Sequence, residues 1–179
     1  DRTVPMLPER LSNELCSLRP HEEKLCFSAV FKLNDNAEIV DEWFGRTVIH
    51  SDRRFTYEEA QAIIEGAEGG YDKEIHTLNT LARVLREERF KHGAIAFARD
   101  EVRFTLDDKG VYTKVQKEAN QLIEEFMLLA NRRVAEYCAY RMSNGRRVPR
   151  PMVFRVHDEP SEDKLSRFRD FALRFGHYF

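Results

Sequence analysis

The chain has 179 residues, 42% apolar and 34% charged, with 13 Phe and 6 Tyr. That is about one domain by length, and neither a disordered nor a membrane composition. Lys and Arg number 29 against 31 Asp and Glu, a net charge of −2. No overall basic excess nominates a nucleic-acid binder, so such a case rests on local placement.

The chain opens in a Pro-punctuated stretch, Asp1–Pro8, and stops at Phe179, three residues beyond Gly176. Neither end looks like a natural terminus, so an excised piece of a longer protein is expected. Residues 1–179 read as a single partial domain. No charged segment followed by an apolar one opens the chain, and no apolar run approaches the ~20 residues of a membrane span. Cys16, Cys26 and Cys138 form no CxxC and read as buried or idle thiols in a reducing cytosol.

Leu25, Phe27, Ala29, Phe31 and Leu33 alternate with period two, which predicts a half-buried strand. Asn34-Asp35-Asn36 supplies turn chemistry, and residues 38–50 return as the second strand of an antiparallel hairpin. Thr56-Tyr57-Glu58-Glu59 matches a capping box and starts a helix with Tyr57 in its first position. A longer helix follows Glu68-Gly69-Gly70. Ile75, Leu78, Leu81, Ala82 and Leu85 form its apolar face, Arg83, Arg86, Glu87 and Glu88 face water, and Gly93 ends it. Residues 94–105 and 111–115 are strand-like around a turn at Leu106–Gly110.

A third helix is predicted over Glu118–Ser143. Leu122, Ile123, Phe126, Met127, Ala130, Val134 and Tyr137 fill one apolar face, and Asn144-Gly145 is the stop. Met152–Val156 reads as a short strand. Pro160-Ser161 opens a last helix with Leu165, Phe168, Ala172 and Phe175 on one face, closed by Gly176. Strands and helices mix without regular βαβ alternation, so the class is α+β, an antiparallel sheet packed by several helices.

No GxGxxG, P-loop, GxSxG or HExxH occurs. His157-Asp158 is the only adjacent His–Asp pair, and adjacency alone is no catalytic geometry. Asp107-Asp108 sits in a predicted turn, where two carboxylates more often serve the turn than a metal. The basic stretch Arg141, Arg146, Arg147 and Arg150 runs from the predicted helix's last turn into the loop after it, and a solvated connection is favoured there over phosphate contact. With Ile123 at the centre of the third helix's apolar face, ~100° per residue puts Glu124 and Asn131 at its border with Asn120 beside them. A carboxylate and two amides there make a polar seam able to line a groove.

Several stretches, in order along the chain, resemble the RNase II superfamily and its RNB catalytic domain, closest to the bacterial ribonuclease R branch. They are Val4–Glu9, Leu11-Ser12-Asn13 and Leu15–Leu18; Leu78–Arg86; Gly93–Phe97 with Glu101 and Phe104–Asp107; Glu118–Asn131, the most specific; and Arg155–Asp158 with Pro160.

The resemblance implies processive hydrolysis of single-stranded RNA from the 3′ end to nucleoside 5′-monophosphates, in a cytoplasmic enzyme. Mg²⁺ would be held by an aspartate cluster of the GxDAxDxDDA type. That motif, which precedes the Met-Leu-Pro stretch in the family, is absent here. So are the later arginine-containing segment and the flanking cold-shock and S1 domains. The expectation is a fragment without catalytic residues or metal ligands, inactive alone, that supplies RNA-channel wall.

By the same resemblance Phe97 stacks on a base near the 3′ end, Tyr57 lies near the terminal ribose, and Glu124 helps the site prefer ribose. Without it, a strand aromatic is more often core, and a helical glutamate is more often a solvated face. No protein partner and no membrane are implied. Two other readings stand beside this one: a non-catalytic RNA-binding or adaptor module on the same scaffold, and an unrelated α+β interaction domain.

Overall fold

In a computed structural model of the chain, the described residues are 4–95, 101–104, 111–114 and 116–178. They form two compact units, residues 1–137 and 138–179.

The first unit begins with a short π-helical turn, Arg10–Leu15, followed by strands β1 (Glu23–Leu33) and β2 (Ile39–His50). Asn34 sets their register. Its side-chain oxygen accepts from the backbone N–H groups of Asn36 and Glu38, at 3.0 and 2.9 Å. Its amide donates to the Glu38 carboxylate at 2.6 Å. The antiparallel ladder then runs from Leu33 opposite Ile39 to Glu23 opposite His50.

Helices α1 (Tyr57–Ile64) and α2 (Asp72–Lys91) follow, then a two-stranded ladder of β3 (Glu101–Phe104) and β4 (Val111–Lys114), then α3 (Glu118–Ala139). Helix α2 carries Asp72 and Glu74 in its first turn and Arg89 and Lys91 in its last, the polarity its dipole favours. It buries Ile75, Asn79 and Ala82.

Burial departs from expectation in β1 and in α3. Leu25 and Phe27 are 86% and 73% exposed. Helix α3 meets the hairpin through Phe44 stacked on Tyr137 at 4.6 Å and Arg133 bound to Glu42. Along α3 itself the buried stripe is Ala119, Leu122, Glu125 and Leu129, whereas Ile123, Met127, Val134 and Tyr137 are exposed. The stripe lies about 100° round the helix from the centre predicted at Ile123, because arginines of α2 grip α3 at Glu125.

In the second unit the chain leaves helix at Ala139, four residues before the predicted end. Tyr140–Ser143 is strand β5, paired antiparallel with β6 (Arg146–Pro149). Asn144 and Gly145 both have positive φ, +48° and +74°, the requirement of a two-residue hairpin turn. Asn-Gly thus serves as a hairpin turn where a helix stop was predicted, and the arginines expected at the helix end and in the loop after it stand on a β-ribbon. The strand expected at Met152–Val156 does not form; Pro149 and Pro151 precede it and offer no N–H to a ladder. Helix α4 (Glu162–Leu173) closes the unit, buries Ala172 and pairs the rings of Phe171 and Phe175 at 5.0 Å. The class is α+β as predicted; among the described residues there are three separate two-stranded antiparallel ribbons in place of one sheet.

Candidate functional site

The capping box places Tyr57. Thr56 Oγ1 accepts the N–H of Glu59 at 3.1 Å, and the Glu59 carboxylate accepts the N–H of Thr56 at 2.7 Å. Those bonds from Thr56, backbone first, hold the Glu59 carboxyl below its ordinary pKa. Tyr57 therefore starts α1 in a fixed position, 42% exposed.

It lines a groove of about 550 Å³ between the starts of α1, α2 and α3, with Phe55, Tyr71, Ile75, Leu78 and Ile123. Phe55 and Tyr71 meet edge to face at 6.3 Å, and the Arg53 guanidinium lies 4.2 Å over the Phe55 ring. Arg53 also donates to the carbonyl of Gly69, and the Gly69 N–H donates to Asp72 at 3.0 Å. A Cβ on Gly69 would fall 2.6 Å from Ile63 Cδ1, so this close approach requires glycine. Buried Gln61 ties α1 to α3 by accepting the N–H of Ala119 at 3.0 Å, an otherwise orphaned donor of the first helical turn. The groove is thus an apolar, aromatic slot with a cation on its rim, suited to a flat ring and its attached sugar.

Glu124 lies elsewhere. It is outside the wall of the Tyr57 groove, and its Oε1 accepts from Arg89 Nη2 at 3.2 Å. The buried carboxylate is its neighbour Glu125, 3% exposed, which takes Arg89 on both oxygens (3.1 and 2.5 Å) and Arg86 at 3.5 Å. Hydrogen bonding to Glu125, the largest cause, raises the Arg89 pKa. Arg86, expected to face water, is part of this clamp.

The predicted polar seam is divided. Asn120 accepts the backbone N–H of Lys117, Glu124 turns to Arg89, and Asn131 is exposed. Phe97 lies outside the described residues, as do Asp107 and Asp108. Phe55, Tyr71, Arg53 and Glu125 escaped the sequence reading. The available signal for Glu125 was Arg86 and Arg89, three apart on the preceding helix and ready to meet a Glu-Glu pair.

Among the described residues no three His, Cys, Asp or Glu side chains assemble to hold a metal ion. Glu124 and Glu125 are committed to Arg89, and Glu42 to Arg133. A divalent cation does not fit the donor set of the described residues. No helix among the described residues is long and apolar enough to cross a membrane. The three cysteines are free, with Cys16 and Cys138 exposed.

The sequence matches the RNB domain over residues 1–177. The chain belongs to the RNB domain family, whose members include exoribonucleases. It is 40% identical over 190 residues to DIS3-like exonuclease 2 of Schizosaccharomyces pombe, covering 95% of this chain and 20% of that protein. It is 33% identical over 186 residues to Ribonuclease R 1 of Lactococcus lactis, covering 98% of this chain and 22% of that one. The structure of Mycoplasma genitalium RNase R in complex with ribose methylated single-stranded RNA superposes with a TM-score of 0.74 at 25% identity. It covers 96% of this chain and 27% of that one. The chain spans about a fifth of the length of the curated relatives it matches.

Proposed function

We propose that the chain is the RNA-contacting middle section of a cytoplasmic exoribonuclease of the ribonuclease R type. That enzyme degrades single-stranded RNA processively from the 3′ end to nucleoside 5′-monophosphates. In this reading Mg²⁺ is held by aspartates upstream of this segment, and the segment supplies channel wall. Tyr57 packs at a ribose and Glu124 accepts from a 2′-hydroxyl. Phe97, on the family resemblance alone, stacks on a base. The observation that carries the reading is the match to the RNB domain over nearly the whole chain, joined to a Tyr57-lined aromatic groove in a fold shared with an RNA-bound RNase R.

The test uses the full-length parent protein with 3′-tailed RNA and Mg²⁺. Stepwise release of nucleoside 5′-monophosphates from the 3′ end is expected, weakened by Tyr57→Ala. RNA binding without hydrolysis by the intact parent would replace this reading with the adaptor one.

A further inference from the structure

We infer that the β5–β6 hairpin is a second RNA-contacting surface, one that grips the phosphodiester backbone of single-stranded RNA through Arg141, Arg146 and Arg150. The inference rests on the reading of this chain as RNA-contacting. It is built from residues that take no part in the Tyr57 groove, and nothing in the family match assigns it.

Residues 138–179 hold nine Lys and Arg against five Asp and Glu, a balance of +4, which leaves −6 for residues 1–137 of a chain that totals −2. Between Tyr140 and His157 there are five arginines and no acid. Soluble surfaces ordinarily intersperse both signs, and charge asymmetry within a near-neutral chain points to a polyanionic partner. Every ion pair among the described residues lies between Arg19 and Glu136, so the hairpin's arginines have none.

The register sets Arg141 opposite Val148 and Ser143 opposite Arg146, so Arg141, Ser143, Arg146 and Val148 share one face. Arg150 extends that face by alternation, its N–H donating to the Ala139 carbonyl at 2.7 Å. Val148, opposite Arg141, is two residues from both Arg146 and Arg150, so at ~6.6 Å per two residues the three arginines step along the ribbon in a staggered row, Arg141 on one strand between Arg146 and Arg150 on the other. A phosphodiester chain presents one negative charge per repeat and can follow such a row. The opposite face carries Arg147 over the Tyr140 ring at 4.5 Å, a planar pair on which a base can stack whatever its identity. All hairpin residues except half-buried Val148 are exposed, so packing does not account for the arginines. A protein-docking surface would be built around an apolar centre, and this face offers only Val148.

The test is fluorescence anisotropy of a labelled single-stranded RNA with the 179-residue chain across a salt series. Each phosphate contact contributes about 0.7 to the slope of log affinity against log salt for single strands, so Arg141→Gln/Arg146→Gln/Arg150→Gln should lower that slope by about 2. Between 50 and 200 mM salt the wild-type chain would then lose roughly 20-fold more affinity than the variant. The corresponding triple Lys variant should keep the slope, and circular dichroism should show the fold intact in both.

An unchanged slope in the Gln variant overturns the inference while leaving the proposed function standing. Absence of RNA binding by the wild-type chain overturns it too. So does displacement of RNA by poly-glutamate of equal charge with equal efficiency, which would mark a dock for an acidic protein. Tyr57→Ala should leave the slope unchanged in this assay; a slope that followed Tyr57 and not the arginines would assign all binding to the groove and overturn the hairpin's role.

Discussion

Arg89 and Glu125 form a two-pronged ion pair that fastens α2 to α3 across 36 residues of chain, at 3.1 and 2.5 Å, with the carboxylate 3% exposed. Removing one partner of a buried pair leaves an uncompensated charge and costs ~3–5 kcal/mol, whereas replacing both with apolar groups is close to neutral. Arg89→Ala should therefore lower the stability of the chain by about 3 kcal/mol or more, and Arg89→Met/Glu125→Leu should recover most of the loss. Urea unfolding of the two variants decides it. A loss below about 1 kcal/mol for Arg89→Ala would show that Arg86, at 3.5 Å, suffices alone.

Glu42 of β2 accepts two bonds from Arg133 of α3, at 2.8 and 2.6 Å, and that hydrogen bonding is the largest cause holding its carboxyl below the ordinary 4.5. A depressed folded-state pKa contributes stability that is full above the unfolded value and lost as pH falls through the folded one. Wild-type stability should thus fall below pH 4.5 more steeply than that of Glu42→Gln. At neutral pH the variant should be weaker by about 1 kcal/mol, the scale of a partly exposed charge-assisted bond. Parallel curves for the two proteins between pH 5 and 3 would remove Glu42 from the acid response.

The elements with local signals were legible in the sequence. Thr56 and Glu59 announced α1, Asn34 announced the first hairpin, and the apolar repeat of α2 needed only its own period. What depended on a neighbour was not legible. Ile123 is a reasonable centre for an apolar stripe until Arg89 reaches Glu125 and turns that side of α3 inward. Leu25 and Phe27 alternate like buried residues yet have no layer over them among the described residues. Asn144-Gly145 is equally good chemistry for a helix stop and a hairpin turn. Only the pairing of Tyr140 with Pro149 and Ser143 with Arg146 chooses between them. Tyr57 was found through the resemblance; Phe55 and Tyr71 join it only by packing, from the preceding loop and the start of α2.

Hydrolysis of a phosphodiester by metal-activated water needs ligands that hold the ion and align the attacking water. The described residues assemble no such cluster. The isolated 179-residue chain should bind RNA and degrade none of it. Incubation with labelled poly(A) and Mg²⁺ is the check, and processive release of mononucleotides, with contaminating nuclease excluded, would contradict it.

Sugar choice tests Tyr57 and Glu124 together. RNA differs from DNA at each position by a 2′-hydroxyl that both donates and accepts. A carboxylate accepts from it, and a phenol donates to it or packs beside the sugar. A hydrogen bond to a charged group contributes ~1.5–3 kcal/mol, so losing one shifts discrimination by about ten- to a hundredfold. Glu124→Ala and Tyr57→Phe in the full-length enzyme should therefore cost more on an all-ribo 3′ end than on one ending in deoxynucleotides. Arg89 binds Glu124 through Oε1, so Oε2 is the oxygen that the proposed contact would use. Since Glu124 does not line the groove that holds Tyr57, the two residues should act independently, and the double variant should show the product of the two single effects within about twofold. Turnover of the two substrates by wild-type, single and double variants decides both points. Equal losses on ribo and deoxy ends would mean these side chains serve the scaffold. A double variant no worse than either single would place them on one hydroxyl.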